Sequence, residues 1–150
     1  MLLSKHGVLK KPGEIIHAAC IYTGNRMLSI GWNSSYSMSC GMESSSRHAE
    51  AMAIEQLFTK KVAKQARYLH RTKQRLHSGK NLSILVIRLD SLDKLRQSKP
   101  CADCIALLQS FSICTAKWSK DDETIATERV ATLQTDFVST GNRAWKRACA

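Results

Sequence analysis

The sequence has no apolar run long enough to cross a bilayer, and its opening residues, Met1 to Lys10, lack the continuous apolar stretch of a secretory signal. The first absence speaks against an α-helical membrane protein and the second against export. Together they predict a soluble intracellular chain, with cytoplasm and nucleus not distinguished. In such a reducing compartment the six cysteines (Cys20, Cys40, Cys101, Cys104, Cys114 and Cys149) are expected as free thiols or metal ligands, not disulfides. Acidic residues are scarce: 12 Asp and Glu stand against 23 Lys and Arg, giving a formal charge of +11. Polyanions are therefore attracted in a salt-dependent way, although the excess alone names no substrate. No Asp or Glu occurs between Lys60 and Leu89, the most asymmetric charge block in the chain. Aromatics are few, which weakens any reading that needs extended base-stacking surfaces. Internal repeats and low-complexity segments are missing too.

What is present fits one domain over residues 1–150, with a core at about 15–130, a basic insertion at about 60–80 and a C-terminal extension at 131–150. Ile15 to Tyr22 is apolar enough for a mostly buried strand, Thr23-Gly24-Asn25 supplies a turn, and Met27 to Trp32 returns as a second strand. Residues Asn33 to Ser46, rich in Ser and Gly, read as a long loop. Beyond the candidate caps Ser44 to Ser46, the spacing of Ala49, Met52, Ala53, Gln56 and Leu57 predicts a helix from His48 running on toward Arg67. Asn81 to Leu89 is β-branched and apolar on both faces, as a central strand would be. Pro100 then opens a helix with Cys101, Cys104, Ile105, Leu108 and Phe111 on one stripe, followed by short strands at Cys114–Trp118 and Thr124–Val130. This alternation predicts a layered α/β domain with a partly parallel sheet.

Two short patterns carry chemistry, His48-Ala49-Glu50 and Pro100-Cys101-Ala102-Asp103-Cys104, each at the start of a predicted helix. Cysteines three apart on a helix face the same way, and the positive end of the helix favours their thiolate form. Two sulfurs and an imidazole suit zinc, and three protein ligands leave a fourth position for water. Glu50, two residues past His48, projects to another side of the first turn, where it can take a proton from a water whose pKa zinc lowers to about 7. Two other readings stand beside this one. A structural zinc site would need a fourth ligand such as Cys40, His70, Cys114 or Cys149, none with a matching paired spacing. A redox dithiol would leave His48-Ala49-Glu50 unexplained.

The paired patterns resemble the zinc-dependent cytidine and deoxycytidylate deaminases, whose signature is His-x-Glu followed by Pro-Cys-x-x-Cys. The resemblance spans about Ile15 to Val130. It implies a three-layer α/β/α fold with a central mixed sheet of about five strands, Zn2+ as cofactor, His48, Cys101 and Cys104 as ligands, and Glu50 as proton shuttle. It further implies that Asn33, in Gly31-Trp32-Asn33, holds the substrate's sugar and that the Ala49 backbone meets the base. The expected activity is hydrolytic deamination of a cytosine-containing nucleoside or nucleotide. Alternatives are deamination of single-stranded nucleic acid or tRNA through the basic 60–80 block, and a silent zinc or nucleic-acid-binding module on the same scaffold. Members of the family commonly assemble, so a homo-oligomer is expected. Cys40, His70 and His77 are candidates for a second metal site, as in some deoxycytidylate deaminases. The separation of the two motifs exceeds that of compact members, and the surplus falls in the basic block.

Overall fold

A computed structural model describes residues 15–33, 37–39, 42–44, 48–62 and 81–138. The chain opens with an antiparallel pair, β1 (Ile16–Thr23) and β2 (Arg26–Trp32), joined at Gly24, whose φ of 53° lies where side chains are strained. A short pair, β3 (Ser37–Ser39) and β4 (Met42–Ser44), follows, so the expected long loop over Asn33–Ser46 contains an antiparallel ribbon. Its serines and glycines carry no apolar alternation, which is why the pattern concealed it. Helix α1 (Ala49–Val62) leads to β5 (Ser83–Leu89), β6 (Leu95–Arg96), α2 (Ala102–Ser110), β7 (Thr115–Ser119) and β8 (Ile125–Arg129).

The main sheet is mixed, in the order β2-β1-β5-β7-β8, with β6 added to the end of β5. It has six strands where about five were expected; two residues of β6 are too few to show a period. β5 lies at the centre, antiparallel to β1 and parallel to β7. A parallel neighbour requires a crossover, and α2 supplies it. The architecture is thus an α/β fold with a central mixed sheet, as the sequence predicts.

Both described helices cover one face. Ala19 and Ile21 of β1 stand in register with Val86 and Ile84 of β5, and all four join Ala53, Leu57, Ile105, Leu108 and Trp118 in one buried cluster. The predicted α2 stripe packs accordingly, with Cys104, Ile105 and Leu108 buried.

The approach of α1 to β2 is unusually close. Ser29 Oγ–H donates to the Ala53 carbonyl at 2.8 Å, and a Cβ placed on Gly31 would lie 2.7 Å from the Met52 carbonyl carbon and nearer still to Ala53 N and Ala49 O. Backbone atoms cannot swing aside, so Gly31→Ala must push the helix off the sheet. The expected cost is about 3 kcal/mol, at the upper end for overpacking. Gly24→Ala meets nothing within 4 Å, and its cost is only the conformational one of about 1 kcal/mol. Urea midpoints of the two variants against wild type check this; equal midpoints would mean that α1 does not rest on Gly31.

Candidate metal and catalytic site

The two motif segments enter their helices in the same manner. Met52 N–H donates to the His48 carbonyl at 3.1 Å and Ile105 N–H to that of Cys101 at 2.9 Å, so His48 and Cys101 each stand just ahead of the first helical residue. Cys101 is the N-cap of α2 in extended backbone, yet its side chain makes no capping bond. Its sulfur turns to His48 instead. The open amide of Ala102 is satisfied from elsewhere, by the Phe137 carbonyl at 3.0 Å. A chain segment after β8 therefore satisfies one of the amides that the start of the helix leaves open.

His48 Nδ1 lies 3.2 Å from Cys104 Sγ and 3.5 Å from Cys101 Sγ, and the three ligand atoms fall within 4.8 Å of one another. Around a tetrahedral zinc, with bonds of about 2.0–2.3 Å, ligand atoms lie about 3.5–3.8 Å apart. Both distances from the imidazole to a sulfur are within a few tenths of an ångström of that spacing, and the donors are those that zinc prefers. Among the described residues no fourth His, Cys or carboxylate completes the group. Cys114, one candidate for a fourth ligand, is exposed at the start of β7, its thiol directed to the Ser112 carbonyl.

The electrostatics suit a cation. Cys101 is pushed down to about 4, first because it accepts a hydrogen bond from the Cys104 thiol and then because it accepts one from His48. Cys104, the donor of that pair, is held up. His48 is raised, chiefly by its bond to Cys101. A proton shared among three groups this close is what a divalent ion displaces.

Glu50, in the first turn of α1, is 1% exposed. Burial raises its pKa, opposed by its own amide and by a hydrogen bond from Cys104, and its Oε2 has no partner. An orphaned buried carboxylate oxygen is costly and rare in folded proteins. Here the carboxyl as a whole stands against the Cys104 sulfur without belonging to the trio.

Of the other residues singled out from the sequence, Ala49 is fully buried with its carbonyl against Gly31. Asn33 is exposed just past β2, its N–H donating to the His17 carbonyl at 2.9 Å. Cys40, His70 and His77, the side chains of the basic block at 60–80, and Gly141 to Ala150 lie outside the described residues.

The sequence reading missed His17. It shares the helix-covered face with Ala19 and Ile21, its Nε2 is shut from solvent without a partner, and its pKa is lowered to about 4 by burial, then by the charges of Arg88 and His48. The signal was available: a lone imidazole in an otherwise apolar strand.

A second unforeseen feature is the anchor before Cys101. Ser98 Oγ–H donates to the Val86 carbonyl at 2.8 Å, Ser119 N–H to Ser98 Oγ at 2.9 Å, and Ser119 Oγ–H to the Arg96 carbonyl at 2.6 Å. These buried bonds tie the entry of α2 to the ends of β5 and β7. The Lys99 ammonium lies 5.6 Å from the Trp118 ring centre, bracing the same segment.

No family model and no curated protein matches the sequence. Among solved structures, the chain is similar to the crystal structure of cytidine deaminase from Mycobacterium leprae. The two share 17% identity over 82% of this chain and 81% of that one, with a TM-score of 0.45.

Proposed function

We propose that the chain is a zinc-dependent hydrolytic deaminase of a cytosine-containing nucleoside or nucleotide. The observation that carries this reading is the pairing of an open three-donor group, His48, Cys101 and Cys104, with a buried carboxyl, Glu50, whose free oxygen has nothing else to do. A structural zinc site would need a fourth ligand and would have no use for that carboxyl.

Zinc bound to the trio would supply a water of lowered pKa and the charge that steadies it. Glu50 does the rest of the proton work. Its Oε2 takes one proton of the attacking water and passes it to N3 of the cytosine ring as the oxygen joins C4, then takes the second proton from that oxygen and hands it to the departing amine. The C4–N bond breaks, ammonia leaves, and the ring becomes uracil. Burial suits this traffic, because a raised carboxyl pKa brings uptake and release of the proton closer to balance at neutral pH. We assign Asn33, exposed where β2 ends, to the sugar, and the Ala49 backbone, at the start of α1, to the base.

The test is ammonia release by zinc-loaded protein offered cytidine, deoxycytidine, their monophosphates and a single-stranded oligonucleotide. Turnover of a cytosine nucleoside or nucleotide is the expected result. Turnover of the oligonucleotide alone would move the activity to polynucleotides and give the basic 60–80 block its role. Zinc binding without any turnover would leave only a silent module.

A further inference from the structure

Cys101 is held between two tertiary contacts, neither of which its own side chain makes. Its sulfur turns to His48 and caps nothing, so its place is set by its neighbours. One residue after it, Ala102 N–H reaches the Phe137 carbonyl; three residues before it, Ser98 is buried at the ends of β5 and β7. Lys99 and Pro100 lie between, and Pro100 is itself fully buried, with its φ fixed by the ring. Three residues span about 10 Å at most, so a shift at Ser98 has little slack in which to fade before it reaches the sulfur.

The contacts of Ser98 splice it into the sheet. The register of the parallel pair β5 and β7 ends at Val86 and Trp118. Just beyond it a hydroxyl bridges the two strands: Ser119 N–H donates to Ser98 Oγ at 2.9 Å, and Ser98 Oγ–H donates to the Val86 carbonyl at 2.8 Å. Ser98 N–H donates in turn to the Ser119 carbonyl at 3.0 Å. The Ser119 hydroxyl makes a second bridge of the same kind, accepting Arg88 N–H at 3.1 Å and donating to the Arg96 carbonyl at 2.6 Å. Both serines are buried, at 4% and 0% exposure. Asp90 and Asp121 hold the same segment from outside, through the Arg96 guanidinium at 2.7 Å and the Gln97 amide at 3.0 Å. Residues 95–98 thus form a wedge at the ends of β5 and β7, and the chain passes from that wedge straight to Cys101.

We infer that Ser98 and Ser119 are positioning residues of the candidate metal site: their hydroxyls fix the separation of the β5 and β7 ends, and with it the place from which Cys101 and Cys104 meet His48. The inference rests on the deaminase reading and deepens it. Neither hydroxyl is assigned to metal, substrate or proton transfer. A hydroxyl both donates and accepts, which lets one oxygen join an N–H of one segment to a carbonyl of another. Ser98→Ala leaves the Ser119 N–H and the Val86 carbonyl without these partners, and Ser119→Ala does the same to the Arg88 N–H and the Arg96 carbonyl. Buried groups of this kind are costly to leave unpaired, so β5 and β7 regain partners by closing on each other. Closure moves residue 98, and Cys101 with it, relative to the imidazole at the head of α1.

The probe is Co2+, which takes the tetrahedral sites of zinc and whose visible bands report the geometry of its ligands. It is titrated into the metal-free full chain of wild type, Ser98→Ala, Ser119→Ala and Ser119→Thr, with Ile21→Val as a control that loosens the core away from the wedge. Ser98→Ala and Ser119→Ala are expected to bind cobalt about tenfold more weakly or worse, as removal of a group that orients a metal ligand commonly does, and to show altered bands. Ser119→Thr keeps the hydroxyl on a strand that suits a β-branched residue, and should recover much of the affinity and the wild-type bands. Ile21→Val should lower the thermal midpoint and leave cobalt binding as it was. Ser98→Ala and Ser119→Ala matching wild type in affinity and bands would overturn the inference. So would an equal loss of affinity in Ile21→Val, because the serines would then act through stability alone. A second readout needs no metal: amide exchange at Ala102 and Ile105, in the first turn of α2. Faster exchange there in both serine-to-alanine variants, but not in Ile21→Val, supports the wedge even if wild type takes up no cobalt, a combination that would sink the deaminase reading alone. Cobalt bound by wild type, with affinity and exchange unaltered in those variants, would sink only the wedge.

Discussion

Glu50→Gln is expected to keep a full complement of zinc and to lose turnover by a factor of about 1,000 or more. The side chain touches the trio's surroundings but supplies none of the three converging donor atoms, so metal content should not follow it. Its amide replacement has the same shape and cannot carry a proton, and a positioned acid or base typically contributes between about 100- and 10,000-fold. In the proposed reaction one carboxyl would serve the attacking water, the ring nitrogen and the leaving amine, so the loss belongs toward the upper end. Metal analysis beside steady-state kinetics separates the outcomes. Zinc lost with activity would make Glu50 a ligand, and activity retained would remove it from the reaction. The same variant carries a stability signature. Because burial lifts the folded-state pKa of Glu50 above that of the unfolded chain, the metal-free wild type gives up stability as pH rises through the ordinary carboxylate range, and the neutral amide does not. In metal-free protein, Glu50→Gln should therefore gain on wild type from pH 4 toward pH 7, as thermal midpoints would show.

Cys101→Ala is expected to abolish stoichiometric zinc binding and to erase the stabilisation that zinc confers. An ion bound with a thousandfold excess over its dissociation constant adds about 4 kcal/mol, which in a chain of this size is about 10 °C in midpoint. Wild type should fall by about that much when a chelator strips it, and the variant should not respond to chelator at all. Cys104→Ala and His48→Ala should behave alike, since each removes one of three donors lying within 4.8 Å of one another. Loading should also weaken as pH falls, because His48 must shed the proton that its bond to Cys101 helps it retain. A variant that still binds zinc one to one and still responds to chelator would show that the ion sits elsewhere.

The sequence made the trio legible because helix starts are local signals. Pro100 before Cys101 and the apolar spacing after His48 place both segments at N-termini, and a Cys-x-x-Cys spacing needs no tertiary knowledge to aim two sulfurs one way. The hairpin of β1 and β2 and the central β5 were legible for the same reason, through turn residues and a β-branched run. Other features were not, because they depend on partners distant in the chain. β6 is two residues that become a strand only against Arg88 and Leu89. Gly31 looks like an ordinary strand glycine until the backbone of α1 is laid upon it. Arg88 breaks the apolar run of β5 and could have been flagged, but only register shows that it faces His17.

The bond from Ala102 N–H to the Phe137 carbonyl also orders events during synthesis. His48 leaves the ribosome 53 residues ahead of Cys101, and the segment that completes the first turn of α2 follows later still. β1 must likewise wait for β5 before the sheet has a centre. A nascent chain stalled short of Phe137 would expose two thiols on an unfinished helix beside an unclaimed imidazole. The two halves of the candidate site thus come together only after chain well beyond both cysteines has emerged, so the order in which segments appear, more than the spacing of the motifs, decides when the trio can form.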